Sequence, residues 1–511
     1  MMNKDCDVFD LCIVGGGVNG TGIARDAVGR GLTVLLCEAG DLGAAASSAS
    51  SKLIHGGLRY LEQFEFDLVR ASLREREVLL RIAPHLVRPL RFVLPHVPEL
   101  RPWWQIRVGL FLYDHLARRV TLPASHGVDL CDSHLGAGLN PQFRRGFSYA
   151  DCVVDDARLV VANARAAKDL GATISIHTAC VALKAINGIW QVTLKDCITG
   201  ESRKVKARAL VNSAGPWVSE VRELIKGLAP GRRIRLVKGS HIVVPRVHDQ
   251  SHAYILQNED RRQTLVIPFQ GKFSLIGTTE VPMEGRPPRS LSVADEEVAY
   301  LCRAAGRYLA RPVRPEDVIW SYAGLRPLWD DNNVNPSAIT RDFLLEVDLA
   351  DGNTPALTVY GGKLTTYRHL ADQALNKLKT FFPHMRPAWT HTAALPGGDI
   401  PNRDVAAFVD KLAIDYPGLP IRLLKDLVFR HGTLSTEILG NASDIKMMGQ
   451  DFGAGLYDRE VDYLIDREWI RTVNDVLWRR TKAGLHMTAE QRAGVESYLK
   501  RHSEKTKMLD A

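Results

Sequence analysis

Asp10-Leu11-Cys12-Ile13-Val14-Gly15-Gly16-Gly17-Val18-Asn19-Gly20, answered by Thr33-Val34-Leu35-Leu36-Cys37-Glu38, decides how this 511-residue chain folds. An apolar run that stops at glycines, a helical stretch and a second apolar run ending in an acid spell a β-α-β unit for a dinucleotide. Gly15 permits the tight turn out of the first strand, and Gly17 lets the backbone approach a pyrophosphate. Gly20 lets the following helix pack closely on the sheet. The free N–H groups at that helix start then face the phosphates. Glu38 closes the second strand, where its carboxylate can accept hydrogen bonds from a ribose diol and repel the extra phosphate of NADP. A purely structural glycine turn would need neither the paired strands nor the terminal acid.

Outward from Glu38 lies a small-residue segment from Gly43 to Tyr60, with Ser50-Ser51-Lys52-Leu53-Ile54-His55-Gly56-Gly57 at its centre. Small hydroxyls and glycines suit a backbone lying flat along a cofactor, with Lys52, His55 and Arg59 as polar heads. An ordinary Ser/Gly surface loop is the alternative. Its place directly after the second strand favours cofactor contact through Ser50, Ser51, Lys52, Leu53, His55 and Gly56.

From Leu68 to Ile82 apolar residues recur at helical spacing among Arg and Glu, which predicts an amphipathic helix. After a proline-rich stretch comes Trp103 to Arg119, where tryptophans, aliphatics and flanking arginines fit a segment lying in a membrane interface. A buried helix with solvated basic ends fits the same residues. Asp155 caps a helix running to Leu170 and ended by Gly171. Thr173 to Thr178 predicts a strand, with Val181 just after it, where a main-chain contact to an adenine would come. Segments around Val192 and Val205, joined by Thr199-Gly200, predict a hairpin. Leu210 to Asn212 predicts a strand meeting a second glycine turn, Ala214-Gly215-Pro216.

From Ile234 the texture changes to short β runs at Ile242 to Pro245, Ala253 to Leu256, Leu265 to Phe269 and Phe273 to Ile276. These predict an inserted antiparallel sheet, interrupted by a helix from Ala294 to Leu309. Ala356 to Thr366 returns to the first domain as a strand, the turn Gly361-Gly362-Lys363-Leu364-Thr365, and a long helix. Beyond Pro396-Gly397-Gly398 the composition is helical, with turns at Pro417-Gly418 and Gly453-Ala454-Gly455.

The length calls for two or three domains. Hydrophobic residues at 45% and charged residues at 24% are those of a globular protein. No apolar run reaches about 18 residues, so no spanning helix is expected. The first strand begins within a few residues of Met1, leaving no room for a signal peptide, and a cytosolic location is expected. The eight cysteines are scattered without a CxxC pair, which favours reduced thiols over disulfides or a metal cluster, and no metal is expected. A net charge of +8 suits acidic partners. The basic residues are spread along the chain without a recognised motif, so nucleic acid is not expected.

The chain resembles the bacterial aerobic FAD-dependent glycerol-3-phosphate dehydrogenases, within the wider D-amino-acid-oxidase-like flavoprotein group. The resemblance rests on Ile13 to Gly20, Ser47 to Leu61, Ala214 to Trp217, Lys238 to Pro245, Gly324 to Leu328, Gly361 to Arg368 and Trp478 to Lys482, and covers essentially the whole chain. Small departures, Ala44-Ala45-Ala46 and Asp331-Asn332-Asn333-Val334, touch no chemically necessary position. The resemblance implies an α/β FAD-binding, Rossmann-like domain built from discontinuous segments, an inserted antiparallel-sheet substrate cap domain and a C-terminal helical domain. The corresponding segments are 1–85, 146–230 and 340–388 for FAD, and 86–145 as an insertion with the candidate membrane segment. The cap takes 231–339 and the helical domain 389–511.

The resemblance further implies oxidation of sn-glycerol 3-phosphate to dihydroxyacetone phosphate, with hydride passing to flavin N5 and electrons to a membrane quinone. The enzyme would sit peripherally on an anionic surface, the inner face of the cytoplasmic membrane; a homodimer stays open. FAD would be held noncovalently by Gly15, Gly17, Gly20, Glu38, the serine loop, Val181, Ala214, Gly215 and the Gly361-to-Thr365 turn. A phosphorylated substrate needs fixed cations, and guanidinium forks suit phosphate. Arg326 and Lys363 lead, with Arg59 and Tyr60 converging from the serine loop. His241 is the candidate proton acceptor, with His55 as its competitor. Three alternatives remain: a glycerol-3-phosphate oxidase using oxygen, an amino-acid oxidase, and a flavin- or nucleotide-binding regulator without turnover.

Overall fold

The computed structural model describes residues 8–260, 262–330 and 341–509. The departure at 331–334, Cys6 and the first residues lie outside the described ones. The chain opens with β1 (Val8–Val14), α1 (Val18–Gly29), β2 (Val34–Cys37), β3 (Leu53–Ile54) and α2 (Phe66–Ile82). It continues through β4 (Val87–Pro95), α3 (Trp103–His115), β5 (His126–Asp129), β6 (Arg145–Val154) and α4 (Asp156–Asp169). Next come β7 (Thr173–Ser175), β8 (Thr178–Ile186), β9 (Ile189–Asp196), β10 (Ser202–Asn212) and α5 (Val218–Glu223). The middle of the chain adds β11 (Ile234–Pro245), β12 (Ala253–Gln257), β13 (Gln263–Phe269), β14 (Phe273–Gly277) and β15 (Val281–Met283). After α6 (Asp295–Gly306) follow β16 (Trp320–Trp329), β17 (Phe343–Ala350), β18 (Thr354–Gly361) and α7 (Tyr367–Leu378).

Two large sheets divide this part of the molecule. The first runs β17-β18-β10-β1-β2-β7, with the β8–β9 hairpin attached through β10. Its centre, β18 to β7, is parallel. The central strands are apolar where they are buried on both faces, at Leu11 to Val14, Val34 to Cys37, Ala209 to Val211 and Ala356 to Leu357, covered by α1 and α7 on one side and by the β8–β9 hairpin and α5 on the other. The second sheet runs β15-β11-β14-β13-β12-β4-β6-β3, with β16 on β11 and β5 on β6. Its pairings are antiparallel except that between β4 and β12.

Several expectations needed correction. The strand predicted from Thr173 to Thr178 breaks at His177, where φ is +47°, so Val181 lies inside β8. It sits at the bulge between Cys180 and Ala182, a place where the ladder is locally disrupted. The segments around Val205 and Leu210 form one strand, β10, which pairs with the hairpin at its start and with β1 further along. The run at Ile242 is the end of the 12-residue strand β11. The second sheet takes β3 from 1–85, β4 and β5 from 86–145, and most of β6 from 146–230, so it crosses three expected domain boundaries. The six-segment division stays a proposal.

The C-terminal region carries α8 (Val405–Asp415), α9 (Ile421–His431), α10 (Ser435–Leu439), α11 (Asp458–Glu468) and α12 (Ala489–Leu509) around its own core. It is not helical throughout: a small hairpin, β19 (Asp451–Gly453) and β20 (Leu456–Tyr457), uses the Gly453-Ala454-Gly455 turn. This region docks on the first sheet's helices and loops by buried charge. Arg480, fully buried, bonds both oxygens of Asp41 at 2.6 and 2.8 Å, and Arg479 reaches the same carboxylate at 2.5 Å. Arg158 of α4 pairs with Glu468, and Lys482 with Asp155.

Candidate active site

Three glycine turns meet at the C-terminal ends of adjacent parallel strands, which is where ligands bind in open α/β sheets. The Gly15 turn leaves β1, Ala214-Gly215 leaves β10, and Gly361-Gly362 leaves β18. A Cβ on Gly15 (φ +111°) would come within 2.5 Å of the Ser213 carbonyl, and one on Gly20 within 1.9 Å of the Gly15 carbonyl. These two glycines are required by the backbone itself. By contrast, a Cβ on Gly215 would meet nothing within 4 Å, and one on Gly17 only the Ser47 hydroxyl at 3.1 Å. That open space lies where a pyrophosphate would need it. Asn19 ties two of the turns, donating to the Gly361 carbonyl at 3.3 Å, while its own Oδ1 is buried with no partner among the described residues. The residues present therefore fit a dinucleotide.

Glu38 follows β2 directly. Its carboxylate accepts from the Gly16 amide at 2.6 Å and the Gly40 amide at 2.8 Å. Burial raises its pKa, and those two amides oppose the shift. A carboxylate offers more acceptor positions than two amides use, so a ribose diol can share it. The serine loop behaves differently from expectation. The Lys52 ammonium is not a free head: it bonds Asp156 at 2.8 Å and the Ser48 carbonyl at 2.9 Å. Ser50 Oγ also donates to Asp156, at 2.7 Å. The side chains of Ser50 and Lys52 anchor the loop to α4, Leu53 pairs with Val153 of β6, and the Gly56 amide donates to the Tyr113 hydroxyl at 2.8 Å.

The catalytic candidates converge. Lys363 caps the 3-10 turn Leu364–Thr366 and donates to the His55 carbonyl at 2.7 Å. Its ammonium lies 5.1 Å from the centre of the Tyr60 ring. Thr365 Oγ1 also meets the His55 carbonyl, at 3.3 Å, which fastens this turn to the serine loop. Burial lowers the Lys363 pKa to about 7, against the pull of Asp151 and Asp342. His55 is held well below its usual value by burial first and by Lys363 and Arg59 next.

Arg326 lies on β16 and donates to Thr278 Oγ1 at 3.2 Å. Its side chain stays 30% accessible. Burial, with Arg341 nearby, lowers its pKa to about 10. Glu280 gathers three guanidinium groups: Arg341 at 2.9 Å, Arg59 at 3.2 Å and Arg326 at 3.8 Å. Three positive groups around one carboxylate leave two net positive charges, the complement of a phosphate dianion. Glu280 and Arg341 were not singled out from the sequence. No local signal marks Arg341; an acid placed just past the apolar strand Phe273–Gly277 was the only hint for Glu280.

His241 lies on β11, cross-strand from Tyr322 on one side and Gly277 on the other. The imidazole Nε2 sits 2.9 Å from Ser51 Oγ, and Nδ1 is buried with no partner among the described residues. A buried polar atom without a partner costs about 1–3 kcal/mol, so Nδ1 marks a place for a ligand hydroxyl. Burial, then Arg326 and Lys52, keep the ring's pKa well below its usual value, so the imidazole rests neutral.

Known proteins are similar to this chain over nearly its whole length. A family model described as FAD dependent oxidoreductase matches residues 10–368, and one described as the C-terminal domain of alpha-glycerophosphate oxidase matches residues 388–505. The aerobic glycerol-3-phosphate dehydrogenase of Escherichia coli (strain K12) is 48% identical over 492 residues, covering 96% of this chain and 97% of that protein. The D-erythritol 1-phosphate dehydrogenase of Brucella abortus (strain 2308) is 46% identical over 490 residues, covering 96% and 97%. Among solved structures, the glycerol-3-phosphate dehydrogenase from Bacillus halodurans complexed with FAD shares the fold. Its TM-score is 0.74 at 24% identity, over 97% of this chain and 94% of that one. The chain belongs to the FAD-dependent oxidoreductases, in the branch that holds the aerobic glycerol-3-phosphate dehydrogenases.

Proposed function

We propose that this enzyme oxidises the secondary alcohol of sn-glycerol 3-phosphate to dihydroxyacetone phosphate and delivers the electrons to a membrane quinone. One observation carries the reading: Arg59, Arg326 and Arg341 converge on Glu280 beside Lys363 and His241, next to the glycine cradle. FAD, when bound, supplies a hydride acceptor at N5. The chain's own residues do the rest. Arg326, Arg59 and Tyr60 hold the phosphate, Lys363 adds a cation near the developing oxyanion, and His241 Nδ1 receives the hydroxyl proton. The cofactor ligands in this reading are Gly15, Gly17, Gly20 and Glu38, the serine-loop backbone, Val181, Ala214, Gly215 and Gly361 to Thr365. Anaerobic glycerol 3-phosphate should bleach the yellow purified protein, and an added quinone should restore the colour. Unchanged colour would remove the substrate from the reading, whereas peroxide formation with air in place of quinone reduction would favour the oxidase.

A second substrate has a specific support, the 46% identity to the D-erythritol 1-phosphate dehydrogenase. A longer polyol phosphate uses the same clamp, so relative bleaching rates for the two phosphates decide between them.

Membrane attachment is read from α3. Ile106, Leu110 and Tyr113 face inward and are buried, while Trp104, Val108 and Phe111, on the opposite face of the helix, are 68%, 50% and 51% exposed. Phe64, at the end of the turn that α3 packs on, is 79% exposed. An apolar stripe of this size beside Arg107 and Arg118 suits a lipid interface. No described helix is long and apolar enough to cross a membrane. Flotation with anionic vesicles should succeed and weaken with salt, since each basic residue near such a surface contributes about 1 kcal/mol. Replacing Trp104 and Phe111 by serine should abolish it; unchanged flotation of that variant would place the contact elsewhere.

A further inference from the structure

The C-terminal domain reaches the cap sheet through Trp478, Leu485 and His486, whose ring lies 5.2 Å from that of Phe273. Trp478 stacks on Trp320 of β16 with ring centres 4.9 Å apart and planes 21° from parallel. Two positions along the same face of the strand, Tyr322 lies 4.9 Å from Trp320. Tyr322 in turn stacks on its cross-strand partner His241, at 4.9 Å and 14°. Four positions further on the same face comes Arg326. One face of β16 thus carries the contact to the C-terminal domain, the support of the imidazole, and the phosphate clamp, in that order.

Each ring in the row is held. Trp478 belongs to the π-helical turn Asp475–Arg480, whose Arg479 and Arg480 grip Asp41; single π-turns of this kind recur at functional sites. Gly484 leaves room for its indole: a Cβ there would lie 3.0 Å from the ring. Arg492 of α12 lies 5.6 Å over the same ring. At the other end Tyr322 donates to the Ser50 carbonyl at 2.8 Å, and Lys52 lies 5.1 Å over its ring. Among the described residues the His241 ring has a single hydrogen bond, to Ser51. One bond does not fix the ring plane; packing does, between Tyr322 on one side and Gly277 on the other, where an added Cβ would come within 2.1 Å of the imidazole.

We propose that the C-terminal domain acts on catalysis through this row: Trp478 and Tyr322 are positioning residues that fix the plane of His241 and the direction of its free Nδ1. The inference rests on the assignment of His241 to the reaction. It gives the C-terminal domain a task beyond stability, because a small misplacement of a catalytic group far from the change is costly in rate.

The test compares Trp478→Ala, Trp478→Phe and Tyr322→Leu in the full-length FAD enzyme. Trp478→Ala should slow flavin reduction by glycerol 3-phosphate about fivefold or more. It should leave the Kd of inorganic phosphate, which reports the arginines alone, unchanged within about twofold. Trp478→Phe should restore most of the rate. In enzyme labelled with 13C-histidine, the His241 ring signal, assigned by its loss in His241→Gln, should move in Trp478→Ala and in Tyr322→Leu. On a His241→Gln background the Trp478→Ala effect should disappear. An unmoved ring signal, or an equal slowing on both backgrounds, overturns the proposal. If glycerol 3-phosphate fails to reduce the wild-type flavin while the ring signal still moves, the substrate reading fails and the positioning stands.

Discussion

Arg326→Ala lowers kcat/KM for glycerol 3-phosphate by at least about tenfold and leaves the poor activity with unphosphorylated glycerol nearly unchanged. The guanidinium is a charge-assisted, fork-shaped donor, and such a contact contributes about 1.5–3 kcal/mol, where each 1.4 kcal/mol is about a factor of ten. Its removal leaves Glu280 with Arg59 and Arg341, so no buried carboxylate is stranded and the cap should keep its fold. The two net positive charges of the cluster become one, which weakens a dianion more than a monoanion. Arg326→Lys recovers only part, because the ammonium keeps the charge and loses the fork. Steady-state kinetics on both substrates, with FAD content and Tm as controls, read the result. If turnover falls equally for glycerol and its phosphate while FAD stays bound, Arg326 acts on the reacting carbon or the flavin, and the clamp assignment is wrong.

How far the sequence could be read followed the range of the forces involved. The β1–α1–β2 unit, the Asp155 cap and the Thr199-Gly200 hairpin are written in local chemistry: glycine at a forced φ, a side-chain cap, an alternating run. They appeared as expected. The continuity of β10 was missed because its first half is a hairpin strand and its second half a buried parallel one, so its pattern changes midway. The parallel contact between β4 and β12 joins segments with no local sign of each other. At the site, Arg326, Lys363, Arg59, Tyr60 and His241 stand in glycine-flanked motifs and could be named. Glu280 and Arg341, which complete the charge arrangement, stand in none. Lys52 looked like a free cation because its partner, Asp156, arrives from a helix 104 positions away.

Asp41→Asn should be the largest single loss of stability, and it shows how the C-terminal domain is fastened. Asp41 and Arg480 are 439 positions apart in the chain and nearly inaccessible, at 2% and 0%. Removing the charge of one partner strands the other in a dry place, which typically costs about 3–5 kcal/mol. A melting temperature roughly 5–10 °C lower follows for a unit of this size. Asp41→Leu with Arg480→Met should recover part of that, since an apolar pair of similar volume often replaces a buried ion pair without loss. The pH dependence follows from the same contacts. Burial alone would raise the pKa values of Asp41, Glu460 and Glu468, but Arg480, Arg430 and Arg158 respectively more than offset it. Asp41 is left below its usual value, Glu460 at about 2 and Glu468 lower still. Groups depressed in the folded state contribute stability above their unfolded values, about 4, and lose it as pH falls through the folded ones. The wild-type melting temperature should therefore drop steeply below about pH 4, and Asp41→Asn should show a lower plateau with a shallower acid limb. A variant that melts with the wild type at neutral pH and follows the same acid curve would mean that the domain is held by its apolar contacts alone.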